Sequence, residues 1–345
     1  MKLGRSRTAV GLAVLLLVAG VGCGGKKKAV RPPATTLAPT TTVAPPPFPL
    51  TGLPATDLAK LARPALVMKV EGGPLARPQI GLDVADVVYE EIVEGGVTRF
   101  LAVFHSTDAD PVGPVRSVRP SDPDILAPLM PLFGYSGGTP KFIGLLRGTP
   151  GITDVGYDRF PDAYPRRRGR AAPHDRFPST AALYAKAPAG VKPPPRLSEF
   201  LAAGTPFTGA GAVPAARLGV VVGITPVEFA FDAATSTWKR TEKGTAHTVE
   251  GGAQIAPTNV VLQFTPYQIS PGDIDQSGAQ VSVARTVGQG DAWFFSGGTL
   301  VRGKWSKPSA SALTTYTDSA GAPIRLLPGR TWVELAAPGA RTTIG

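Results

Sequence analysis

The chain is poor in the side chains that metal and redox chemistry use most. In 345 residues it has one cysteine, Cys23, and three histidines, His105, His174 and His247. A lone thiol excludes an intramolecular disulfide, so apolar cores and not cross-links must hold the folded part. The histidines stand dozens of residues apart with no H-x-x-x-H or C-x-x-C spacing, so neither a metal site nor a cofactor is expected. Long apolar runs are also missing. The most apolar stretch, residues 9–19, falls well short of the roughly 20 residues a membrane-spanning helix needs. Acidic residues are absent from positions 1–47, which hold seven of the 36 basic residues; from Phe48 onward 29 basic residues face 25 acidic ones. The net charge of +11 therefore belongs largely to the leader. No basic stripe with interleaved aromatics remains, and nucleic acid is not an expected partner.

What is present starts with that leader. Lys2, Arg5 and Arg7 form a positive segment, residues 9–19 an apolar one, and Gly20-Val21-Gly22 a small-residue approach to Cys23. This is the order of a secretory signal peptide, residues 1–22. A signal that ends on a lone cysteine resembles the lipobox of bacterial lipoproteins. The resemblance implies acylation of Cys23 by palmitate-class chains and anchoring to membrane lipid on the extracytoplasmic face of the cell membrane. The alternative is an ordinary signal peptide followed by a buried free thiol. Lys26, Lys27 and Lys28 follow the acyl site, where each contributes about 1 kcal/mol beside anionic headgroups. Residues 29–47 (AVRPPATTLAPTTTVAPPP) cannot bury a core. Residues 23–47 are thus expected to form a Thr/Pro-rich tether, extended and solvated.

From Phe48 the pattern is globular, and two domains are expected, residues 48–205 and 216–345, divided by a Pro/Ala/Gly-rich stretch. In the first, residues 65–70 form a strand candidate. Residues 86–105 place two β-rich runs either side of Gly95-Gly96, the signature of a tight hairpin. With a two-residue turn, Glu94 pairs with Val97 and Ile92 with Arg99, which sets Arg99 on one face with Glu90 and Glu94. Ser121 is the expected N-cap of a short helix that ends at Pro128, residues 129–135 the next strand, and Thr139 the cap of a second helix. In the second half, ten strand candidates between residues 219 and 335 are separated by short Asp/Gly/Ser/Asn turns, an all-β signature.

The peptides PLTGLP (49–54), RPQIGL (77–82), ADVVYE (85–90), EGGVTRF (94–100) and GPVRSVRP (113–120) occur here in the order found in the YerB-like bacterial lipoproteins, a domain-of-unknown-function family. Ala172-Pro173-His174 and the hairpin at residues 298–305 also resemble that family. The resemblance implies an α+β fold: a layered sheet and helix N-terminal domain, three-layer sandwich-like, packed with a β-rich C-terminal domain. It implies no reaction.

Five groups of residues are candidates for function. Glu90 and Glu94 are a carboxylate pair suited to general acid–base work, but with Arg99 between them the default is a charge cluster that fixes strand register. Glu91 is expected at a packing or surface position. Arg116, Ser117 and Arg119, just ahead of the helix start at Ser121, suit an anion, with Asp122 and Asp124 as rival partners of the arginines. Gly134-Tyr135-Ser136-Gly137-Gly138 has the spacing of a nucleophile elbow, and a glycine-rich turn is its default. His174, beside the basic loop at residues 166–170, is the histidine of interest, with a neighbouring carbonyl as its default partner. Trp293, Trp305 and Trp332 are expected in the core, a Trp-lined groove being the alternative. Together these point to a cell-envelope binding or assembly factor whose ligand is an anionic polymer or a protein. An envelope-polymer hydrolase using Ser136, or Glu90 and Glu94, with His174 is the rival. Convergence of those groups in one cleft separates the two.

Overall fold

The computed structural model describes residues 45–275 and 278–345. The signal peptide, Cys23 and most of the tether lie outside the described residues. The first half contributes strands β1 (Leu66–Glu71), β2 (Val87–Ile92), β3 (Thr98–Phe104), β4 (Leu132–Gly134) and β5 (Thr153–Asp154). Its helices are short: α1 (Asp122–Leu126), α2 (Pro140–Arg147) and α3 (Thr180–Tyr184). The second half is built of strands. In chain order they are β6 (Glu199–Phe200), β7 (Val213–Pro214), β8 (Arg217–Val222), β9 (Thr225–Asp232), β10 (Thr237–Glu242) and β11 (Thr245–Ala246). Then come β12 (Asn259–Phe264), β13 (Tyr267–Ile274), β14 (Gln280–Ala284), β15 (Gly288–Ser296) and β16 (Thr299–Lys307). The last are β17 (Thr315–Asp318), β18 (Arg325–Leu326), β19 (Thr331–Ala336) and β20 (Thr342–Ile344). Among the described residues no helix is long and apolar enough to cross a membrane.

Strands from both halves join one mixed sheet of 11 strands, with β17-β16-β15-β12-β19 from the second half running on into β2-β3-β1-β4-β5 from the first. The seam is β19 against β2, a parallel pair in which Trp332 faces Val88 and Glu334 faces Glu90. A parallel central pair must be covered on both faces, and every residue of β1, β2, β3 and β19 is buried. Period-2 alternation sorts their side chains. Val67, Tyr89, Leu101 and Val333 pack on one face with Leu126 of α1 and Phe142 and Leu146 of α2. Met68, Val88, Phe100 and Trp332 pack on the other with Leu183 of α3 and with Val220, Phe229 and Trp238 from a second, five-stranded sheet, β11-β10-β9-β8-β20.

The hairpin between β2 and β3 does not have the expected two-residue turn. Glu94–Gly96 form a 3-10 turn, closed by the Val93 N–H donating to the Val97 carbonyl at 2.8 Å. Arg99 consequently faces Glu91 and not Ile92. The longer loop is held by docking: the Ile224 N–H donates to the Gly96 carbonyl at 2.9 Å, and a Cβ on Gly223 would lie 2.0 Å from that oxygen. The β8–β9 turn thus seats on the hairpin loop through two glycine backbones at positive φ.

Candidate functional site

The one-residue slip redistributes every charge near the hairpin, because a change of register exchanges the faces of a strand. The expected Glu90–Glu94–Arg99 cluster does not form. Glu90 lies on the face of the second sheet, where Arg240 Nη2 donates to its Oε2 at 2.7 Å. Glu94 is taken by Arg119, whose Nη2 donates to Glu94 Oε2 at 2.8 Å. Arg99 donates from Nη1 to the Ser117 carbonyl at 2.8 Å, with its Nη2 4.0 Å from Glu94. The two glutamates do not share a site, which removes them as a general acid–base pair.

Arg99, Arg116 and Arg119 do converge. With Glu94, Ser117 and residues 136–139 ahead of α2 they line a cleft of about 420 Å³, closed on one side by Pro173 and on another by Ile274, Asp275 and Val281 of the β13–β14 hairpin. Burial, and then the charge of Arg119, push the Arg99 guanidinium down to about 10; Glu94 opposes this and Arg116 adds to it. A guanidinium crowded by its own kind gains from an anion placed among them. Arg116 is the most exposed of the three. It donates from Nη1 to the Pro173 carbonyl at 3.2 Å, with Nε 3.6 Å from Glu71 Oε2. Glu71 also holds His174, Nδ1 to Oε2 at 2.6 Å, so the partner of that histidine is a carboxylate and not the backbone carbonyl expected.

The helix start differs too. Ser121 is the N-cap residue of α1 as expected, but its side chain makes no capping hydrogen bond; its Oγ accepts from the Ala284 N–H at 2.9 Å and ties the helix to β14. Asp122 is not a partner of the guanidinium groups. Its carboxylate accepts from the Arg119 backbone N–H at 2.7 Å and from Lys69 Nζ at 2.6 Å. The helix terminus that borders the cleft is that of α2, capped as expected by Thr139 Oγ, which accepts from the Phe142 N–H.

Ser136 lines the cleft and donates its N–H to the Arg116 carbonyl at 3.0 Å. Among the described residues its Oγ has no histidine or carboxylate partner. His105 and His247 are buried. Burial and then Arg63 push His105 down to about 4, and burial, then Arg240 and Arg77, hold His247 well below its ordinary range. Trp305 and Trp332 are core residues. Trp293 is half-buried, its ring edge-on to Phe264 and under the Arg302 guanidinium, 4.9 Å away.

Two buried charge clusters escaped the sequence reading. Lys69, in the apolar run of β1, donates to both Glu91 and Asp122, and all three side chains are fully buried. Glu91 is therefore neither a surface nor a simple packing position. Burial pushes its carboxyl up to about 7, with Lys69 opposing. On the other face Arg240, also fully buried, meets Glu90, Glu242 and Glu334. Its guanidinium lies 5.0 Å from the Trp332 ring, and His247 Nδ1 accepts from it. Burial, then Glu90, holds the Glu334 carboxyl well above the usual range. A lysine flanked by Met68 and Val70 was the one local sign of either cluster.

Fold and cleft define a sheet-rich α+β protein with an arginine-lined, partly enclosed site at the edge of its N-terminal half. The model of the "Protein of unknown function (DUF3048) N-terminal domain" matches residues 50–191, and that of the DUF3048 C-terminal domain matches residues 219–333. The chain belongs to this family, the YerB-like one that its motifs resemble. It is 28% identical over 298 residues to the Bacillus subtilis (strain 168) protein named "Putative lipoprotein YerB", covering 83% of this chain and 85% of the relative. The crystal structure of YerB from Bacillus subtilis superposes with a TM-score of 0.72 at 24% identity, over 86% of this chain and 99% of that one. That likeness establishes the fold.

Proposed function

We propose that the protein is a lipid-anchored binding factor on the extracytoplasmic face of the cell membrane, and that it engages an anionic envelope polymer through the cleft of Arg99, Arg116 and Arg119. The observation that carries this reading is the convergence of three guanidinium groups on one cleft, with Arg99 already depressed by burial and by the charge of its neighbours. Arginine stays protonated and cannot shuttle protons near neutral pH, so such a cluster holds an anion better than it cleaves a bond. Arg119 is committed to Glu94, which leaves Arg99 and Arg116 as the ligand-facing pair. The leader supports acylation at Cys23, and the family relative is named a lipoprotein.

The test is binding of poly(glycerol phosphate) by the full-length protein in detergent, with neutral dextran as control. Arg99→Gln with Arg116→Gln should weaken binding about tenfold or more, and added salt should mimic the change. Equal binding by wild type and double variant, or no preference over dextran, would refute this reading.

A further inference from the structure

We propose that Glu71 and His174 form a proton-linked gate on the arginine cleft, which takes a phosphoryl-type oxyanion more tightly when the His174 imidazole carries its second proton. The proposal rests on the anion-binding reading above and adds its ligand class and its regulation.

Glu71 ends β1 directly opposite Arg99 in the ladder. Its Oε2 faces two donors at once, His174 Nδ1 at 2.6 Å and Arg116 Nε at 3.6 Å. With a neutral imidazole, Nδ1–H donates to Glu71 and the full carboxylate charge still acts on Arg116 and Arg99. That charge competes with any anion for the same guanidinium groups. A second proton has one place to go, Nε2, which has no hydrogen-bond partner among the described residues. The imidazolium then neutralises Glu71, and the guanidinium charge is released toward the cleft. Glu71, Glu94 and Asp275 of the β13–β14 hairpin balance the three arginines, and protonated His174 leaves one net positive charge.

The other charged groups around His174 do not duplicate this role. Asp175, next in its own loop, is taken by Arg166. Arg170 donates to the carbonyls of Ala76, Arg77 and Pro78. Arg119 and Glu94 are paired across the cleft. Both His174 and Glu71 keep a path to solvent, with side chains 18% and 12% exposed. The ligand class follows from the donors. Arg99, Arg116, Ser136 and Thr139 approach the cleft from two walls, β3 with its following loop and the entry to α2. Divergent donors of this kind match the several oxygens of a tetrahedral phosphoryl group better than the two coplanar oxygens of a carboxylate.

The probe is dimethyl phosphate, which keeps one charge across the pH range, so that any pH dependence belongs to the protein. Because the anion favours the imidazolium, affinity is highest below the titration of His174 and is lost as pH rises through it. Binding by the full-length protein should be about tenfold tighter at about pH 5.5 than at about pH 8. That titration is readable by NMR, since the other two histidines are buried. His174→Gln should bind with no pH slope. Glu71→Gln should bind at pH 8 about as tightly as wild type does at 5.5, because the competing carboxylate is gone. Binding that is flat with pH in the wild type, or a slope retained in His174→Gln, overturns the gate alone. No binding of dimethyl phosphate at either pH, together with no binding of poly(glycerol phosphate), overturns the anion-binding reading and the gate with it.

Discussion

His174 and Glu71 stand 103 residues apart in the chain and 2.6 Å apart in the fold, Nδ1 to Oε2. The contact joins the end of β1 to the loop that follows the basic run at residues 166–170. It also sets the carboxylate 3.6 Å from Arg116, so a histidine without an obvious partner in the sequence is linked to the cleft through Glu71 and Arg116.

Arg119 and Arg116 should separate stability from binding. Arg119→Gln leaves the Glu94 carboxylate buried without its cation, and breaking a buried pair costs roughly 3–5 kcal/mol. Arg116→Gln removes a partly exposed contact and should cost less than about 1 kcal/mol. Urea denaturation of the two variants measures the difference. Equal destabilisation would show that Arg119 is not committed to Glu94.

The Lys69–Glu91–Asp122 cluster should make stability fall with rising pH. Burial raises the Glu91 carboxyl from 4.5 to about 7 in the folded state. A group with a raised folded value contributes fully below its unfolded value, and the contribution is lost as pH rises through the folded one. Between about pH 5 and pH 8 the wild type should lose on the order of 1–3 kcal/mol of unfolding free energy from this group. Glu91→Gln should flatten the profile over that window. A variant profile parallel to the wild type would assign the proton elsewhere.

Arg240 is the cation that three glutamates from two sheets meet, and of these Glu242 also pairs with Arg77. Arg240→Met should destabilise by roughly 3–5 kcal/mol, since it strands buried carboxylates. Glu334→Gln should cost less than about 1 kcal/mol, because burial and Glu90 push that carboxyl toward its neutral form. Calorimetric melting of the two variants checks the order; the reverse order would place the proton on a different acid.

Cys23→Ala should move the protein from the membrane fraction to the soluble one and abolish the acyl mass on its N-terminal peptide. Identical fractionation of variant and wild type, with no acyl mass on either, would refute the anchor.

Much of the fold was legible in the sequence because the signals are local. Period-2 apolar runs and Gly or Asp turns placed β2, β3 and ten of the fifteen described second-half strands, and Thr139 announced α2. The β13 strand was missed, since its residues are exposed or half-exposed and carry no apolar alternation. At the site, the arginines and His174 were visible as residue types, but their partners were not. Three-dimensional packing decided those: docking of Gly223 against Gly96 sets a loop one residue longer, and that residue decides which acid faces Arg99. The insertion of β19 beside β2 buries Glu90 and Glu334 together and brings them to Arg240. A strand's side chains alternate by local geometry, so a sequence determines which residues share a face. Which face meets which neighbour is fixed only when distant segments compete for the same space, and the charges of this protein were assigned at that step.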